Sequence, residues 1–258
     1  MTASVSPMLE VRRLSRHFGG LLAVNELSFA VAPGAIHGLI GPNGAGKTTT
    51  FNVISGYYAP TSGRVLYQGR DVSGMPTHAL ASLGLVRTFQ GTTLFKELSV
   101  LDNVRIGCHG SAGAGFFSRI LGTDQGVEAA ARERALTLLE FFGIDKLRHE
   151  LAGNLPHGHA RTLGMAVAFA AEPKLILLDE PFTGMNPEET RTMMQLIRAI
   201  RDRGVTIMLV EHDMQAVMGL CDLITVMNFG SLLAEGTPEE VRNSPAVIEA
   251  YLGRPDAA

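Results

Sequence analysis

Apolar positions along this chain follow two rhythms. Over Val11–Phe18 and Leu27–Val31 they alternate with polar ones, and Arg64–Tyr67 runs into the turn pair Gln68-Gly69, the pattern of strands covered on one face. Ile36–Ile40, Leu175–Leu178 and Val205–Val210 are instead short unbroken apolar runs, which read as strands buried in a sheet. Leu223–Met227 and Leu232–Glu235 flank Asn228-Phe229-Gly230 like the arms of a hairpin. Between Thr92 and Asn154 the strand signals fade. There Glu128–Phe142 sets Ala131, Ala135, Leu138, Leu139 and Phe142 at helical spacing and stops at Gly143. Asn186 caps a further helix with Pro187 in its first position and Glu188 and Glu189 in its first turn, ending near Gly204. Thr237-Pro238-Glu239-Glu240 opens the last helix with a capping box. These elements predict an α/β fold: a mainly parallel sheet between helices, an antiparallel β edge subdomain and an inserted α-helical subdomain.

Composition narrows the function classes. A chain of 258 residues buries a substantial core as one large domain, and 22 basic against 25 acidic residues lack the positive field of a general nucleic-acid binder, so no nucleic acid is expected as partner. The longest apolar runs fall well short of the roughly 18 residues that span a bilayer, and residues 1–20 lack the apolar centre of a secretory signal. A cytoplasmic protein is expected. Cys108 and Cys221 stand alone, without Cys-x-x-Cys spacing, and read as packing residues.

The chemistry begins directly after Ile36–Ile40. Gly41, Pro42, Asn43, Gly44, Ala45, Gly46, Lys47, Thr48 and Thr49 spell a phosphate-binding P-loop between a strand and the helix-forming run Thr48–Ser55. Glycines let successive N–H groups turn inward around the β- and γ-phosphates of a nucleoside triphosphate, and the helix points its positive end at them. Lys47 then reaches the β/γ oxygens, and Thr48 supplies a hydroxyl to Mg²⁺. Downstream, the run Leu175–Leu178 ends in Asp179-Glu180-Pro181. Asp179 at the strand edge can hold Mg²⁺ through water, and Glu180 can orient and deprotonate the attacking water.

The ordered set of P-loop, Gln90 in Arg-Thr-Phe-Gln, Leu155-Pro156-His157-Gly158-His159 before a helix, the Asp179-Glu180 strand, and His212 in Val-Glu-His-Asp resembles the ATP-binding subunits of ABC transporters from Leu9 to about Gly253. The resemblance implies a P-loop NTPase core of about 8–90 and 160–253 with the β edge sheet, a helical subdomain of about 91–159, and a short tail at 254–258. It implies that Phe18 stacks on adenine with Val24 nearby. It also makes Gln90 the lid glutamine that senses the γ-phosphate, reaches the metal and faces the membrane subunit, and His212 the histidine that hydrogen-bonds the γ-phosphate. Leu155–His159 then stands where the family has Leu-Ser-Gly-Gly-Gln, the signature loop offered to ATP bound on the opposite subunit. Pro156 has neither hydroxyl nor N–H, which predicts that this half-site is the weaker one. Asn186 replaces the family's usual Asp after the catalytic strand.

Phe-Gly-Gly-x-x-Ala-Val at 18–24, the pattern from Thr93 to Val104, and Gly-Met-Asn-Pro-Glu-Glu-Thr at 184–190 are similar to the subfamily serving uptake of branched-chain amino acids, amides and urea. That resemblance implies an ATP-sandwich dimer with a second ABC ATPase, two membrane permeases, an external binding protein, and attachment at the inner face of the membrane. An exporter ATPase, for instance of lipopolysaccharide, remains the alternative. A non-transport P-loop protein is disfavoured by a lone P-loop without a guanine-reading motif or coiled-coil arm. The Gly-, Ala- and Ser-rich segment 110–126 reads either as a solvated loop or as a contact surface.

Overall fold

A computed structural model describes residues 6–88, 94–111 and 125–252, the side chains of 109–111, 125 and 252 excepted. Gln90 and most of the 110–126 segment lie outside the described residues. β1 (Leu9–Phe18) and β2 (Leu21–Val31) form a long antiparallel hairpin through Gly19-Gly20. β3 (Ile36–Ile40) then leaves for a second sheet and releases the P-loop into α1 (Lys47–Ile54). β4 (Ser62–Tyr67) returns to pair with β1 and is followed by the two-residue β5 (Arg70–Asp71), giving a four-stranded antiparallel sheet in the order β2-β1-β4-β5.

After α2 (Thr77–Ser82) and β6 (Leu85–Arg87) comes the helical stretch, α3 (Val100–Ser111) and α4 (Gln125–Phe141). The chain then alternates α5 (His157–Ala170), β7 (Leu175–Asp179), α6 (Pro187–Asp202), β8 (Thr206–Val210), α7 (Met214–Leu220), β9 (Leu223–Asn228) and β10 (Ser231–Gly236), closing with α8 (Pro238–Arg242) and α9 (Pro245–Leu252). The second sheet has six strands in the order β10-β9-β3-β8-β7-β6, parallel throughout except for β10, which is antiparallel to β9.

Every residue of β3, β7 and β8 is buried, as a parallel sheet covered on both faces requires. The strand period of two sorts those residues into two cores. Ile207 and Leu209 face the helices α3–α6, while Met208 and Val210 face the antiparallel sheet, and Ile176 and Leu178 divide from Leu175 and Leu177 in the same way. The helical stretch shares its core with one face of the parallel sheet: Val104, Ala135, Leu139 and Leu163 pack with Ile176 and Leu178. Gly38 lets α7 pack closely on β3, since a Cβ there would sit 2.9 Å from Cys221 Sγ at the end of α7. Both cysteines are buried thiols.

The caps behave as the sequence predicts. Asn186 accepts from the N–H groups of Glu188 and Glu189 while Glu189 reaches back to the Asn186 N–H, and Thr237 and Glu240 form the same reciprocal box. β2 begins six residues before the predicted Leu27, because backbone pairing with Phe18 and His17 carries it although Leu21 and Leu22 stay exposed.

Candidate active site

Because β3, β8 and β7 are consecutive and parallel, their C-terminal ends line one edge of the sheet. The P-loop follows β3, Glu211-His212 follows β8, and Asp179-Glu180 ends β7, so this topology alone brings three distant segments together. The P-loop is fixed by backbone approach. A Cβ on Gly41 would meet the Met227 carbonyl oxygen at 2.2 Å, and one on Gly46, at φ 101°, the Ala23 carbonyl oxygen at 2.4 Å. The hairpin between β9 and β10 braces the loop through Gly230 N–H to the Ala45 carbonyl at 3.0 Å. Pro42 is half-buried, Asn43 and Gly44 are exposed, Ala45 is buried, Thr48 presents an exposed hydroxyl residue and Thr49 is half-buried. Lys47 Nζ donates to the Gly41 and Pro42 carbonyls at 2.7 and 3.0 Å. Partial burial pushes its ammonium below the usual range, and the nearby charge of Glu180 pulls it back up.

Asp179 is buried and bound to a partner that the sequence reading missed: Arg87, at the end of β6, donates to Asp179 Oδ2 at 2.6 Å. The same guanidinium donates to Asn52 Oδ1 at 2.6 Å and Ser55 Oγ at 3.0 Å on α1 and just beyond it, tying the P-loop helix to β6 and β7. Such a charge pair offsets its own desolvation only with good geometry and further hydrogen bonds, which this one has.

Glu180 holds a left-handed backbone, φ 48°, a conformation costing a non-glycine residue about 1–3 kcal/mol and kept only where its surroundings over-determine it. Here its N–H donates to the Val210 carbonyl at 2.9 Å, and its own carbonyl accepts from Arg161 Nη1 at 2.8 Å. Its carboxylate accepts from Thr183 Oγ1 at 3.2 Å and lies 4.0 Å from His212 Nδ1. His212 is exposed at the strand end.

Glu211, also missed, is 1% exposed and accepts from the N–H groups of Phe182 at 2.8 Å, His212 at 3.0 Å and Asp213 at 3.4 Å. It joins the loop after Glu180 to the loop bearing His212. Burial raises its pKa, and those three N–H donors pull it down. A carboxylate directly after an apolar strand run is the same signal that marks Asp179, and would have found it.

Phe18 is 37% exposed, with its ring edge-on to Tyr58 at 5.2 Å and the Arg16 guanidinium 4.6 Å from its centroid, so a face remains for a planar group. Val24 corrects the expectation: it has no exposed surface and belongs to the core beneath the hairpin, so it presents nothing to a base. Pro156 is the N-cap of α5 without a side-chain cap, followed by exposed His157, half-buried Gly158 and exposed His159, with Leu155 packed against the helical core. Among the described residues no three His, Cys, Asp or Glu side chains gather around a metal position. The Thr48 hydroxyl and Asp179 carboxylate are nonetheless hard oxygen donors of the kind Mg²⁺ accepts alongside phosphate.

Comparison with known proteins identifies the family. The family model described as ABC transporter matches residues 24–183, and one described as branched-chain amino acid ATP-binding cassette transporter matches residues 231–257. The chain is 44% identical over 250 residues to the high-affinity branched-chain amino acid transport ATP-binding protein LivG of Escherichia coli (strain K12), covering 96% of this chain and 98% of that one. It is 32% identical over 249 residues to the lipopolysaccharide export system ATP-binding protein LptB of Acidithiobacillus ferridurans, covering 96% and 98%. Among solved structures, a nucleotide-free ATP-binding cassette from an ABC transporter matches with a TM-score of 0.85 at 30% identity, covering 96% of this chain and 100% of that one.

Proposed function

Starting from a chain that belongs to the ABC transporter family and is an ATP-hydrolysing subunit of it, we propose that it energises the import of branched-chain amino acids or related amides and urea. The higher identity to the amino-acid uptake protein than to the lipopolysaccharide exporter supports this reading over export. The observation that carries the mechanism is the shared edge of β3, β8 and β7, where Lys47, His212 and Glu180 converge.

In this reading the P-loop N–H groups and Lys47 grip the β- and γ-phosphates, and Lys47 exchanges the Gly41 and Pro42 carbonyls for phosphate oxygens. Thr48 and Asp179 would hold Mg²⁺, with Arg87 fixing the Asp179 carboxylate through Oδ2; the ion would neutralise charge on the phosphates. Glu180 takes the proton of the attacking water, His212 hydrogen-bonds the γ-phosphate, Phe18 stacks on adenine, and Gln90 senses the γ-phosphate and reports to the permeases. ATP lies between this P-loop and the signature loop of a second ABC ATPase, the pair closing on ATP and reopening after hydrolysis as a population shift. The helical segment that follows β6 docks against two permeases, which an external binding protein loads. No helix among the described residues is long and apolar enough to cross a membrane; in this reading the permeases hold the subunit at the inner face. The test is reconstitution with the neighbouring permeases, second ATPase and binding protein. Leucine, isoleucine or valine with the binding protein should stimulate ATP hydrolysis and uptake. Stimulation by lipopolysaccharide alone would overturn import.

A further inference from the structure

The first turn of α5 is locked to the loop that follows the catalytic strand of the same chain. Arg161 and His157, one helical turn apart, share a helix face. Arg161 Nη1 donates to the Glu180 carbonyl at 2.8 Å, and Arg161 Nε donates to His157 Nε2 at 3.2 Å. The arginine always carries that hydrogen, so Nε2 is the acceptor, and its 3.3 Å approach to the Thr183 carbonyl is packing rather than a second hydrogen bond. His157 also covers Gly184, where a Cβ would lie 3.1 Å from Nε2, and Gly158 lies so close to Glu189 that a Cβ there would meet Oε1 at 2.9 Å. Loop and helix start therefore form one hydrogen-bonded body.

We propose that Arg161 is the positioning residue for Glu180. Its guanidinium holds the carbonyl of a residue with a left-handed backbone, beside the Thr183 N–H at 3.3 Å on that same carbonyl and the strand contact of the Glu180 N–H to Val210 at 2.9 Å. That backbone and the Thr183 Oγ1 hydrogen bond at 3.2 Å together direct the Glu180 carboxylate. His157, at a position where the resembled signature loop carries glycine, orients the guanidinium from below. The inference rests on the reading of Glu180 as general base.

The test uses the assembled transporter carrying Arg161→Ala, Arg161→Lys, His157→Gly and, as a control, Glu180→Gln. Misplacing a reacting group by about 1 Å costs up to about a hundredfold, so Arg161→Ala should lower kcat by about tenfold to a hundredfold with the KM for ATP and the Tm unchanged. Arg161→Lys, which keeps one donor, should recover part of the loss, and His157→Gly should lose less than Arg161→Ala. Wild-type kcat in Arg161→Ala beside an inactive Glu180→Gln overturns the positioning role alone. A matching fall in Tm and ATP affinity, with no recovery by lysine, overturns it in favour of a structural role. Wild-type turnover in Glu180→Gln overturns the general-base reading and this inference with it.

Discussion

The P-loop and the start of α5 are both glycine-bearing turns that open a helix, and they are built on opposite principles. In the P-loop two of the three glycines face backbone: Gly41 and Gly46 each lie where a Cβ would strike a carbonyl oxygen within 2.4 Å. At the start of α5, Gly158 faces only the carboxylate end of Glu189, and the flanking positions carry imidazoles instead of a second glycine and a glutamine. A loop that works through its main chain tolerates almost no change. A helix start that works through side chains can exchange one set of contacts for another, and this one has turned its side chains toward its own catalytic loop.

The same substitution should expose the difference. Gly46→Ala adds a clash with backbone to a left-handed conformation, so stability should fall by about 3 kcal/mol and ATP binding should be lost. Gly158→Ala asks only a flexible side chain to move and should cost under about 1 kcal/mol. Denaturant titration and nucleotide binding on both variants decide it; equal losses would break the comparison.

Acid tests the P-loop side next. His37 on β3 is buried, stacked on Phe29, with Nε2 2.8 Å from Thr225 Oγ1, whose hydroxyl donates onward to Glu235 Oε2 at 2.9 Å. The imidazole must therefore donate from Nε2, and burial, which disfavours the charged ring, lowers its pKa from 6.5 to about 4. Above pH 6.5 neither folded nor unfolded chain protonates it. Below that, the unfolded chain takes up a proton the folded chain refuses until about pH 4, so stability falls across this window. The loss should approach about 3 kcal/mol. His37→Gln should flatten that slope in denaturant titrations run from pH 7 to pH 4.

Smaller effects separate the two regions further. Phe18→Ala should weaken ATP binding by about 0.5–1.5 kcal/mol, the worth of an aromatic stack; isothermal titration with unchanged affinity would return Phe18 to the edge-strand surface. Pro156→Ser supplies a cap oxygen worth about 1 kcal/mol, and should raise the Tm slightly and tighten ATP at the partner's P-loop. No change in either would mean that the loop has ceased to depend on its hydroxyl.

What the sequence disclosed follows the same division. The P-loop, Asp179-Glu180 and His212 were legible because each follows a short apolar run, and a parallel sheet gathers such strand ends on one edge. Arg87 and Arg161 were not, and Glu211, although it follows an apolar run of the same kind, went unread. Their partners, the Asp179 carboxylate, the Phe182 N–H and the Glu180 carbonyl, sit on or just beyond β7, and only the sheet order places β6, β8 and α5 beside it. Helices as short as Thr77–Ser82 and Met214–Leu220 span under two turns and leave no periodic trace. Val24 was misread because its family role outweighed its register, which turns it inward opposite Arg16.

Glu180 carries the central claim, and Glu180→Gln in the assembled transporter tests it most directly. The charge clamp of P-loop and Lys47 is untouched, so ATP affinity should hold while hydrolysis at this site drops by at least about a hundredfold, the share of a general base. Turnover equal to wild type, with ATP bound as tightly, would contradict it.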